Sequence, residues 1–81
     1  MATVAERTIQ VVADVLKVDA GTIKPESRFV EDLGAESIQS VELMAAFEEE
    51  FDIEIDEAAA LGVKTVGKAI EFNQAVIDGQ G

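Results

Sequence analysis

The sequence contains no cysteine and no histidine. Without cysteine, no disulfide and no thiolate metal site can staple a chain of 81 residues. A domain of that size buries only roughly 60–65% of the surface its unfolded form exposes, so its core is thin. Without histidine, the usual general base and the commonest metal ligand are both missing. An enzyme here would have carboxylates, hydroxyls and lysines alone, and nothing in the sequence pairs a nucleophile with a base. The expectation is one non-enzymatic domain over residues 1–81. No stretch approaches the ~18 apolar residues of a membrane span. The N-terminus meets Glu6 before any apolar run, unlike a secretory signal. These features predict a soluble, cytoplasmic protein without membrane insertion.

Positive charge is scarce. Six basic residues face seventeen acidic ones, for a net charge of −11. Between Phe29 and Val63 there is no lysine or arginine, while acidic residues run from Glu31 through Glu42, Glu48, Glu49 and Glu50 to Glu57. Such a field repels nucleic acid and anionic membranes and steers basic protein surfaces toward itself. Acidity can also serve solubility alone; its concentration in one window favours a partner-binding face.

The apolar periodicity is helical. Val4, Thr8, Val11, Val12, Val15 and Leu16 recur at spacings of three and four, predicting a helix over residues 3–17. Thr3 and Glu6 form a capping-box pattern at its start. Residues 18–36 contain Gly21 and the single proline, Pro25, which rule out a continuous helix. A connection of that length needs anchors. Ile23, Phe29, Val30 and Leu33 are the available ones, with a short helical turn expected around Val30 to Leu33 and a tight turn at Gly34. A second helix is predicted over Ser37–Phe51, with Leu43, Phe47 and Phe51 on its inner face and Ser37 at the N-cap. Ile38 and Val41 either widen the core contact or form a partner-facing rim; both readings stay open. Asp52-Ile53-Glu54-Ile55 alternates like a strand but has no partner, and so reads as a connection with Ile53 or Ile55 turned inward. Asp56 caps a short third helix to Leu61, ended by Gly62. Thr65 caps a last helix to Ile77, with Val66, Ala69, Ile70 and Asn73 or Val76 inside and Phe72 at the edge. Residues 78–81 are expected to fray. The fold class expected is all-α: a small four-helix bundle of three longer helices, one short helix and a long first loop.

The segment Glu31-Asp32-Leu33-Gly34-Ala35-Glu36-Ser37-Ile38 puts a hydroxyl after a glycine turn and at a helix start. Unpaired backbone N–H groups and the positive end of the macrodipole make that a favourable place for a phosphate. On these grounds alone a plain N-cap is the better explanation of Ser37, since such caps are very common. A third idea, a calcium loop from Asp52, Glu54 and Asp56, fails: the glycine needed at its sixth position is Glu57, and the glutamate at its twelfth is Val63.

From Phe29 to Ile38, then through Val41-Glu42-Leu43 and Glu48-Glu49-Glu50-Phe51-Asp52-Ile53-Glu54-Ile55, the sequence closely resembles the acyl carrier protein family. Thr65-Val66 and Ala69-Ile70 resemble the start of the family's last helix, and the resemblance runs from Val4 to Phe72. It implies 4'-phosphopantetheine attached to Ser37 by a phosphopantetheinyl transferase, with the arm's thiol carrying acyl groups as thioesters. The absence of cysteine fits, since the sulfur would arrive with the arm. The resemblance further implies a monomer whose second helix, through Glu36, Ile38, Val41, Glu42, Glu48 and Glu49, docks basic patches on enzymes that transfer or modify the acyl group in fatty-acid, lipid or polyketide-type synthesis. It also implies a bundle interior behind Leu43, Phe47, Val63 and Ile70 that shelters the acyl chain. Glu36 stands where the family usually has aspartate, its carboxylate about 1.5 Å farther out. Ile38 replaces leucine, Gln39 stands where an acid is common, and Asp56 follows Ile55 where proline often does. The first two bear on which transferase accepts the chain, and together the departures point toward a specialised carrier. The alternative is an unmodified acidic interaction module in which Ser37 only caps a helix.

Overall fold

Thr3 starts the first helix as its pattern predicts. Its hydroxyl accepts from the Glu6 amide at 3.1 Å, and the Glu6 carboxylate reaches back to the Thr3 amide. The structure, a computed structural model, describes residues 2–80. Four helices make up its regular structure: α1 (Val4–Leu16), α2 (Ser37–Phe51), the short α3 (Glu57–Ala60) and α4 (Val66–Gln80), with a single 3-10 turn at Ala20–Thr22. No strand occurs among the described residues. An isolated bridge between Arg28 and Thr65 is the only β-type pairing among them.

The core follows the apolar stripes. Thr8, Val11, Val12 and Leu16 are buried along α1, Leu43 and Phe47 along α2, and Val66, Ala69 and Asn73 along α4. α1 packs against both α2 and α4, closing an all-α bundle. Arg7 fastens the α1–α2 contact. Its Nε lies 2.8 Å from Glu50 Oε2, a second guanidinium nitrogen donates to the Glu50 carbonyl, and the group sits 4.6 Å from the centre of the Phe51 ring. The carbonyl belongs to the last turn of α2, where a cation also meets the negative end of the helix dipole.

The long first loop is held by backbone hydrogen bonds to the start of α4. Phe29 N–H donates to Lys64 O at 3.1 Å, Val66 N–H to Ser27 O at 2.9 Å, and Gly67 N–H to Pro25 O at 2.7 Å. Gly67 permits that last approach, since a Cβ there would lie 2.9 Å from the same oxygen. Ile23 and Phe29 are buried as anchors.

Three expectations for this region and the last helix are corrected. Val30 is 62% exposed rather than anchored, because the chain turns outward there. The helical turn around Val30 to Leu33 is a set of hydrogen-bonded turns: Asp32 and Leu33 both donate to Arg28 O, and Gly34 donates to Val30 O. One carbonyl, Arg28 O, accepts from both the fourth and the fifth residue after it, and that breaks the helical register. Third, α4 runs on to Gln80 instead of ending at Ile77 with a frayed tail; the last residue of that tail, Gly81, lies outside the described residues.

The remaining elements fall close to expectation. Ile53 is buried and Ile55 half-buried, with Ile55 N–H donating to Glu48 Oε2 at 2.9 Å. Asp56 caps α3 by accepting from the Ala58 amide at 2.9 Å, and Thr65 Oγ1 accepts from Lys68 N–H at 3.2 Å at the start of α4.

Candidate functional site

Ser37 is the first residue inside α2, and the N-cap is Glu36, with φ −92° and ψ 166°. The expectation that Ser37 itself is the cap is corrected by one position. Glu36 N–H donates to Gln39 Oε1 at 2.8 Å, so the side chain three residues on closes the helix start. The Ser37 hydroxyl is therefore free of capping. It is exposed, and it makes no hydrogen bond among the described residues.

The chain leading to it is fixed. Arg28 and Asp32 clasp each other: the Arg28 amide donates to Asp32 Oδ2 at 2.8 Å, and two guanidinium nitrogens reach the carboxylate at 3.1 Å. The Arg28 side-chain hydrogen bond, helped by the Arg28 amide, holds the Asp32 carboxyl below the usual carboxylate range. Gly34 takes φ 71°, which lets the chain reverse. Ala35 is buried and donates to Phe29 O at 2.8 Å. Glu36 and Ser37 emerge next, on the surface, with the first free N–H groups of α2 behind them.

The other predicted site residues lie along the same helix. Ile38 is 66% exposed and Val41 56% exposed, so both belong to an outer rim rather than the core. Glu36, Glu42 and Glu49 are exposed as well. Residues 38, 41, 42, 45 and 49 follow the three-and-four spacing that puts them on one face. Glu48 is set apart: it is half-buried, and its carboxylate holds the Ile55 amide.

Beside this face lies a cavity of about 320 Å³ between α2, α3 and α4. Leu43, Phe47 and Val63 line it, as the sequence indicates, together with Met44, Leu61 and Phe72. Ile70 does not line it; it lies in the shallow depression on the other side of α4, near Val4. Ser40 is on the cavity wall. It stands three residues after Ser37, roughly 4.5 Å along the helix axis. The mouth is thus within reach of anything tethered to Ser37. Nothing in the sequence marks Leu61 as a lining residue; it is 78% exposed at the rim because the four-residue α3 leaves it uncovered.

The chain matches the family described as "Phosphopantetheine attachment site" over residues 6–72, which includes Ser37 and most of the bundle. The chain belongs to this phosphopantetheine attachment family. Domains of the family carry covalently attached 4'-phosphopantetheine and serve as carriers that meet transferases and synthase enzymes. The residues present fit such a group: an exposed hydroxyl without a protein partner, a helix N-terminus behind it for the phosphate, and an apolar cavity one turn away. No helix among the described residues is long and apolar enough to cross a membrane.

Proposed function

We propose that this chain is an acyl carrier protein that holds its phosphopantetheine on Ser37 and is itself not an enzyme. The observation that carries this reading is the placement of Ser37: an unengaged, exposed hydroxyl inside the first turn of α2, beside the mouth of an apolar cavity. When bound, the arm supplies the thiol on which acyl groups are carried as thioesters. The chain's own residues do the rest. Ser37 Oγ would give up its proton and take the phosphopantetheine phosphorus from coenzyme A, whose pyrophosphate link breaks with adenosine 3',5'-bisphosphate as the leaving group. The first-turn amides of α2 and the helix dipole favour the phosphate's negative charge. Leu43, Met44, Phe47 and Phe72 give the acyl chain an apolar wall.

We further propose that Glu36, Ile38, Val41, Glu42, Glu48 and Glu49 form the docking face, with Glu48 contributing mainly by fixing the segment after α2. Exposed apolar side chains among carboxylates suit a basic patch with an apolar centre. The partners are then a phosphopantetheinyl transferase and enzymes of fatty-acid, lipid or polyketide-type synthesis, met by a monomer in the cytoplasm whose net charge keeps copies apart. Incubation with a broad-specificity phosphopantetheinyl transferase and coenzyme A tests the reading. Wild type and Ser40→Ala should each gain the mass of one phosphopantetheine, and Ser37→Ala should gain none. Equal behaviour of wild type and Ser37→Ala would leave an acidic interaction module in its place.

A further inference from the structure

Hydrophobic burial alone fixes the rotation of α4 poorly. At about 100° per residue, Ile70 and Ile77 lie about 60° and 40° to one side of Asn73, while Val76 and Phe72 lie about 60° and 100° to the other. All four are half-buried, so apolar side chains flank Asn73 on both sides. Rolling the helix exchanges one apolar flank for the other at little hydrophobic cost. The outcome matters for the cavity. Phe72 lines it, whereas Ile70 lies in the depression on the other side, near Val4. The backbone bonds from the first loop hold α4 at Val66 and Gly67, at one end only.

The middle of the helix is held differently. Asn73 is 1% exposed, and its Nδ2 donates to Thr8 Oγ1 on α1 at 3.2 Å; Thr8 is fully buried. Asn73 Oδ1 has no hydrogen-bond partner, alone in that respect among the described side chains. Stability does not account for such a pair. A buried polar atom without a partner costs at least as much as one ordinary hydrogen bond returns, and apolar residues of similar shape are often neutral or better. A buried polar pair does supply register, because its bond is made in one packing and lost in the others.

We propose that Asn73 is a positioning residue: its bond to Thr8 holds α4 in the rotation that turns Phe72, rather than Ile70, to the cavity. It thereby decides which wall the cargo meets, without touching the cargo itself. The inference rests on the reading of the cavity as the shelter for an acyl chain carried on Ser37.

The test uses the wild-type chain, Thr8→Val, Thr8→Ser and the double variant Thr8→Val/Asn73→Leu, each unloaded and with an octanoyl cargo amide-linked to the arm. Thr8→Val strands the Asn73 amide and should melt below wild type by roughly 5–10 °C. The double variant should melt at or above wild type, yet lose the single arrangement of α4. In the wild type and in Thr8→Ser, which keeps the hydroxyl, the octanoyl chain should show NOEs to Phe72 and none to Ile70. In the double variant those NOEs should spread to both side chains, or the α4 backbone resonances should broaden. One Asn73 side-chain amide proton of the wild type should also exchange slowly with water, a readout that needs no variant. The proposal is overturned if the double variant keeps the wild-type NOE pattern and sharp α4 resonances. It is overturned equally if the double variant melts well below wild type, or if both Asn73 amide protons exchange freely. A wild-type cargo with no NOE to any lining residue would overturn the cavity reading instead, while the unloaded α4 resonances still judge the Asn73 bond.

Discussion

Replacing the Arg7 guanidinium removes an ion pair, a hydrogen bond to the end of α2 and a cation–π contact at once. Both charged groups are about 40% exposed, with side-chain values of 39% and 40%, so solvent screens much of the Coulomb energy. Arg7→Met, which keeps the apolar stem, should cost about 1 kcal/mol in chemical denaturation, and a double-mutant cycle with Glu50→Gln should recover part of it as coupling. Asp32 gives a pH signature. Its folded pKa is depressed by Arg28, so its contribution to stability is present above the unfolded value of about 3.9 and is lost as pH falls through the lower folded value. The melting temperature of Asp32→Asn should therefore lie below that of wild type at neutral pH, with the gap closing below about pH 4. A gap that persists into that acid range would mean the Arg28 clasp does not set it. At this scale the sequence was partly legible. Asn73 or Val76 could be placed on the inner face of the last helix, and Asn73 is the one buried, but its Nδ2 bond to Thr8, sixty-five positions away, leaves no trace in the sequence. The cap at Glu36 was missed because Gln39, rather than a hydroxyl, completes it.

α1 and α2 were readable as elements because their signals are local: a capping box at Thr3 and apolar spacing along both helices. The first loop was not, since its path is set by backbone pairing with α4, which leaves no periodic trace. Val30 illustrates the difference: hydropathy points it inward, and the turn pattern after Arg28 points it out. The loop's dependence on α4 also predicts where it is fragile. Gly67→Ala places a methyl 2.9 Å from the Pro25 carbonyl oxygen, against backbone that cannot swing aside. It should destabilise by about 1–3 kcal/mol. Gly62→Ala has nothing within 4 Å and should stay within about 0.5 kcal/mol of wild type. Equal melting temperatures for the two variants would show that the loop–α4 seam yields more easily than its hydrogen bonds imply.

Across the whole molecule, the net charge of −11 and the absence of basic residues between Phe29 and Val63 make association with basic partners a salt-dependent event. If the α2 face is the docking surface, Glu42→Lys should lower kcat/KM for transferase loading on the order of tenfold at low salt, leave kcat nearly unchanged, and lose most of that difference at high salt. The same reversal at Asp14, on α1, should change little. The bundle could be anticipated from periodicity, and the acidic surface of α2 from charge; the cavity could not be drawn correctly, because Ile70 and Phe72 are both apolar on α4 and only the packing decides which of them faces inside. If Ser37 Oγ is the anchor proposed above, no other hydroxyl of the chain should carry the arm. Fragmentation mass spectrometry of the phosphopantetheine-loaded chain, mapping the modified residue, tests it most directly. The modification on Ser37 alone is the expected result; its presence on Ser27, Ser40 or a threonine, with Ser37 unmodified, would contradict the account.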